Sequence, residues 1–143
     1  KQAAATAGCF GEIFEINEDA VRNRPWFTTA AGMYLAAVNE SLLQSKGDAI
    51  LVASGIPESS GTFSFTLPAK KGRIISASAA DGKLTGFSVS GELPVQVRFP
   101  DWLDCGILRG TAGLAETAPG GFRVQSETAA GECPRFHFIT KNG

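Results

Sequence analysis

The stretch from Thr62 to Phe99 most restricts what this chain can fold into. Phe63, Phe65 and Leu67 alternate with Thr62, Ser64 and Thr66. Leu93, Val95, Val97 and Phe99 repeat the spacing further on. Successive side chains of a strand point to opposite faces, so a period of two predicts strands with one buried face. Between these runs Arg73–Ala79 and the segment Leu84, Phe87, Val89 read as two more strands, joined by Asp81-Gly82, a hairpin-turn signal. Gly86 marks a bulge. Ala49 to Ala53 is a continuous apolar run short enough for a buried strand. Pro94 predicts that its strand begins there or lies on an edge, because proline cannot donate to the ladder.

Ahead of this region the period changes. Residues 3–24 predict a helix, with Cys9, Ile13, Ile16 and Ala20 on one stripe and Glu12, Glu15, Glu18 and Asp19 on the other face. Pro25 ends it. Residues 29–46 predict a second helix, on Ala31, Leu35, Val38 and Leu42, with Gly47 at its end. After the strands, Asp101 reads as the N-cap of a short helix through Trp102, Leu103, Cys105, Ile107 and Leu108 that stops near Gly110. GTAGLAETAPGG reads as a loop. Phe122–Gln125 and Arg135–Thr140 are the last strand candidates, with Pro134 just ahead of the second.

Segregated helices and strands predict an α+β fold, with helices packed on an antiparallel sheet. The expected layout is one globular domain over 1–143. Residues 1–25 are helical, 26–47 form a helical connection, and 48–143 form the sheet with a short helix near 101–109. A chain of 143 residues is long enough to bury a substantial core.

The formal net charge of −1 implies no broad attraction to nucleic acid or anionic lipid. The densest basic run, Lys70, Lys71 and Arg73, reads as a solvated turn. Seventeen glycines with many small polar residues suit an extracellular β-rich protein with long surface loops. The first residue is Lys1, which reads as a processed or excised chain, and any signal or membrane segment is expected upstream of it.

Cys105 and Cys133 bracket the weakest-patterned segment, which holds six glycines from Gly106 to Gly131. A disulfide between them would staple that segment and contribute about 3.5 kcal/mol by chain-entropy arithmetic. It would place the protein in an oxidising compartment. The alternative is that both are reduced core cysteines. Cys9 would be left as a free thiol. A metal site lacks ligands: His137 is the only histidine and no two cysteines are close in sequence.

Candidates for chemistry are few. Glu12, Glu15, Glu18 and Asp19 read as solvated helix charges. Asp101 and Asp104 flank Trp102 and resemble a sugar-stacking patch, although Asp101 is better explained as an N-cap and Trp102 as core or pocket lid. His137, between Phe136 and Phe138, has no partnered nucleophile signature. Neither GTAG nor APGG has the strand–loop–helix context of a phosphate site. With no nucleophile elbow, no acid–base pair and no cofactor motif, the sequence predicts no enzyme and no cofactor.

Four stretches resemble a type IV pilin of the IVb kind without its membrane half-helix. FGEIFEINEDAVRNR is similar to the soluble half of the family's N-terminal helix. LLQSKGDAILVASGIP is similar to its leucine, glycine and proline passage. GFSVSGELPVQVRFPDWLDCGIL resembles the strand that leads to a short helix with the first cysteine, and GECPRFHFIT the second cysteine and closing strand. The resemblance implies a structural or minor subunit of an extracellular pilus-like filament, at the cell surface or in the periplasm. It would act in assembly or adhesion by packing. Its partners would be other pilus subunits and a host or surface receptor, with the membrane reached only through an upstream segment. Cys105 and Cys133 would carry the structural cross-link. Phe10, Ile13, Phe14 and Val21 would dock the helix on the sheet. The alternative is a monomeric secreted binding or inhibitor module with the loop between Cys105 and Cys133 as its contact surface. A small hydrolase or lipid carrier would require a deep pocket with His137 beside a carboxylate.

Overall fold

The computed structural model describes residues 12–17, 20–24 and 28–132. They form eleven strands and a single α-helix. The chain divides into two compact units, Lys1–Val38 and Asn39–Gly143.

Among the described residues, those expected in the N-terminal helix are strands instead. Strands β1 (Glu12–Asn17) and β2 (Ala20–Arg24) pair as an antiparallel hairpin. Register sets Glu12 opposite Arg24, Ile13 opposite Asn23 and Ile16 opposite Val21. The pairing is irregular between Ile13 and Glu15, where Phe14 is the extra residue. Ile13, Ile16 and Ala20 do fit a helical stripe. Yet the segment is rich in β-branched and aromatic residues, and Glu18-Asp19 separates two short extended runs. Strand propensity of that kind competes with helix periodicity over so few residues.

Helix α1 (Thr28–Leu42) follows and runs directly into β3 (Leu43–Lys46). The predicted helix over 29–46 is therefore shorter by four residues at its end. Gly47, expected to terminate it, instead takes φ +61 in the turn between β3 and β4 (Ala49–Val52).

The unit beginning at Asn39 is built on two sheets, so the helix-on-sheet α+β expectation is corrected to a predominantly β architecture. Six more strands complete its middle and end: β5 (Phe63–Ala69), β6 (Arg73–Ala80), β7 (Lys83–Ser90), β8 (Val95–Arg98), β9 (Leu114–Ala118) and β10 (Gly121–Val124). With β11 (Thr128–Gly131) they form a five-stranded sheet in the order β3-β4-β8-β10-β9 and a four-stranded sheet in the order β11-β7-β6-β5. The five-stranded sheet is mixed, since β4 and β8 run parallel. Pro68 lies inside β5, the edge strand, where a missing donor costs no ladder bond. Pro94 stands just before β8, which is central rather than an edge. Asp81 and Gly82 both have positive φ, 50 and 72, as a tight hairpin turn requires. A one-residue bulge at Thr85, beside Gly86, interrupts the β6–β7 register.

Both sheets feed one core. Ile50, Val52, Val97, Phe122 and Val124 come from the first, and Ile75, Ala77, Phe87 and Val89 from the second. Phe99 links them, meeting Phe87 edge-on at 5.5 Å and Phe122 at 6.1 Å. Such T-shaped pairs contribute about 1 kcal/mol each beyond burial.

The segment from Gly106 to Gly131 is not a loop. It holds a 3-10 turn (Gly106–Leu108) and strands β9, β10 and β11, which join both sheets. The Thr128 hydroxyl donates to Ser126 O at 2.9 Å, with Ala112 O close by at 3.3 Å. Glu132 N–H donates to Thr85 O at 3.1 Å, and the Ser78 hydroxyl donates to Glu132 O at 2.9 Å. Gly131 faces Gly86 across β7 and β11. A Cβ at Gly131 would collide with Thr85 O and the Ile107 side chain, and one at Gly86 with Glu132 O. Only glycine permits this approach.

Candidate functional site

Residues 99–110 do not form the expected short helix. Leu103 N–H donates to Pro100 O at 3.0 Å, closing a turn, and the 3-10 turn starts only at Gly106. Asp101 is therefore not an N-cap. It is exposed, and no hydrogen bond or ion pair holds its carboxylate among the described residues. Asp104 takes a capping role instead: its Oδ1 accepts the Gly106 N–H at 2.9 Å. Backbone bonds pin the turn to the sheet, from Asp104 N–H to Gly82 O and from Leu84 N–H to Asp104 O, both 2.9 Å.

A second turn comes alongside. The β8–β10 pairing sets Gly121 against Arg98, and Phe99 N–H donates to Gly120 O at 2.8 Å. Pro119 and Gly120 thereby close a cleft of about 340 Å³ with Asp101, Trp102, Asp104 and Arg109. Trp102 is half-buried; it packs on the core and lines this cleft. Arg109 is oriented by Glu116 at 3.2 Å. The hydrogen bond and charge of Glu116 hold the Arg109 guanidinium above its ordinary range. The sequence singled out Asp101, Trp102 and Asp104. Nothing in it indicated Arg109, Glu116 or Pro119: the 3-10 turn places Arg109, and the fold-over of β9 and β10 brings Glu116 and Pro119 near.

Cys105 lies at the floor of the cleft, 5% exposed, as a free thiol that donates to Leu103 O at 3.5 Å. Burial, reinforced by the negative charge of Asp104, pushes the thiol up to about 12. At neutral pH the thiolate needed for nucleophilic attack or metal ligation is then scarce. The other half of the expected cross-link, Cys133, lies outside the described residues, as do Cys9 and His137. Of the residues expected to dock a helix, Ile13, Phe14 and Val21 lie in the β1–β2 hairpin, so that role is corrected, and Phe10 lies outside the described residues.

A second cleft, about 350 Å³, is lined by Asp48, Lys71, Glu92, Pro94, Gln96 and Arg123. Lys71 pairs with Asp48 at 3.3 Å and Glu92 at 3.5 Å, through side chains that are largely exposed. Such pairs contribute at most about 1 kcal/mol. Arg73, expected on a solvated turn, is buried: it donates to the carbonyls of Glu92 and Pro94 and holds the strand before β8. Among the described residues, no group of three or more His, Cys, Asp or Glu could hold a metal ion.

Helix α1 carries the third feature. Met33 (70% exposed), Tyr34 (56%), Leu35 (61%) and Val38 (36%) are four of the five exposed large hydrophobic residues described. Leu42, at the end of the predicted apolar stripe, packs on the core of the unit that begins at Asn39. Among the described residues no helix is long and apolar enough to cross a membrane.

Comparison with known proteins finds no matching family model, no matching curated protein and no matching solved structure.

Proposed function

We propose that this chain is a non-catalytic assembly subunit of an extracellular filament, and that it works by packing α1 against α1 of a neighbouring copy. The observation that carries this reading is the exposure of Met33, Leu35 and Val38 on α1. A helix of 15 residues is marginal in water without a packed face, and clustered exposed apolar side chains mark interaction sites. The helix has no charged residue from Thr28 to Asn39, so two copies meet without like-charge repulsion. Ala30, Ala31, Gly32, Ala36 and Ala37 leave room for close approach of a second helix. The high thiol pKa of Cys105 speaks against cysteine catalysis in the cleft. The segment between Cys105 and Glu132, tied into both sheets, serves as framework, which favours assembly through α1 over a presented binding loop.

Sedimentation velocity over a wide concentration range tests the reading. The chain should self-associate, and Leu35→Asp should leave it monomeric with an unchanged sandwich core. A chain that stays monomeric at the highest concentration overturns it.

A further inference from the structure

We propose that the cleft beside Trp102 binds one ring of a neutral saccharide. This site belongs to the β unit and does not rest on assembly through α1. The cleft, about 340 Å³, lies within the range of small-ligand sites. Its walls are pre-formed, because the turns at Pro100–Leu103 and Pro119–Gly120 are held by backbone hydrogen bonds to each other's strands and to Gly82. Binding therefore requires little ordering of the chain.

The lining selects the ligand by chemistry. Trp102 offers an aromatic surface whose far part is fixed against the core, and no cation or second ring occupies it among the described residues. An aromatic platform of this kind suits the apolar C–H face of a sugar. Asp101 has an uncommitted carboxylate, and Asp104 has one oxygen committed to Gly106 and a second beside it. Carboxylates accept strong charge-assisted hydrogen bonds from hydroxyls. A donor is present as well, in the Arg109 guanidinium, whose Nε is held by Glu116. Two carboxylates disfavour an anion, and a polyol ring offers hydroxyl donors to these acceptors together with an apolar face for Trp102.

The test is titration of the full chain with methyl glycosides of glucose, galactose and mannose, followed by the Trp102 indole resonance in 15N–1H spectra. At least one glycoside should shift it saturably. Asp101→Asn, an isosteric change at an exposed position, should weaken that binding by about tenfold, and the unliganded spectrum reports that the variant is folded. No shift with any glycoside at high millimolar concentration overturns the proposal. So does a shift with tetramethylammonium or sulfate while the glycosides are silent, or binding unchanged in both Asp101→Asn and Arg109→Gln.

Discussion

Helix α1 and the segment from Gly106 to Gly131 contrast most sharply. The helix has regular apolar spacing, and its side chains from Met33 to Val38 are nonetheless exposed. The glycine-rich segment has little apolar pattern, and it supplies three strands, the buried Phe122 and Val124, and the closing hydrogen bonds at Glu132. Periodicity tells which side chains would profit from burial. It does not tell whether a partner surface is supplied by the same chain. Small residues, conversely, say little on their own, yet they allow backbones to approach where larger side chains cannot.

Core truncation should separate the two regions most widely. Phe122→Ala should destabilise the β unit by about 3–5 kcal/mol in denaturant unfolding, whereas Leu35→Ala should stay within about 0.5 kcal/mol. Equal costs at the two positions would mean that α1 is covered within a single copy.

Glycine substitution sharpens the same contrast. Gly131→Val must place a Cβ against Thr85 O and the Ile107 side chain at φ +65, and it should cost about 3 kcal/mol or more. Gly32→Ala, where an added Cβ meets nothing, should stabilise by about 0.5–1 kcal/mol. A tolerated Gly131→Val would show that β11 does not pack against β7 as described.

The smallest effect at neutral pH concerns Cys105. Its folded pKa is raised from 9.0 to about 12, so the folded state holds the proton more tightly than the unfolded one. The resulting stability is fully present below pH 9 and is lost as pH rises toward 12. Thermal unfolding should therefore show an alkaline decline that Cys105→Ala reduces. An identical decline in that variant would place the sensitivity elsewhere. In the native protein at pH 8, alkylation of Cys105 should be slower than in urea by orders of magnitude.

Much of the central sheet was legible because it depends on local signals. Alternation over Phe63–Leu67, the Asp81-Gly82 turn and the glycine beside the bulge each act within a few residues, and all three appear where expected. The strands at Ala49–Val52 and Gly121–Val124 were legible from their apolar content. Strand β11, Thr-Ala-Ala-Gly, was not, because its stability comes from pairing with β7 and from glycine contacts far apart in sequence. In residues 12–17 and 20–24, Ile13, Ile16 and Ala20 satisfy a helical stripe and a pair of short strands alike, and cross-strand register decides between them. At the candidate saccharide site, Asp101, Trp102 and Asp104 were visible as neighbours in sequence, while the 3-10 turn added Arg109 and the β8–β10 pairing added Pro119.

The sequence by itself determined where the chain turns, which runs alternate, and that Trp102 stands between two carboxylates. These are properties of backbone sterics and of side chains a few residues apart. Tertiary structure alone decided that the nine strands from β3 on divide between two sheets, that β4 and β8 run parallel, that Cys105 is buried, and that Met33, Leu35 and Val38 are exposed. Each of those depends on which distant surfaces meet, and burial free energy is shared among all of them rather than assigned residue by residue.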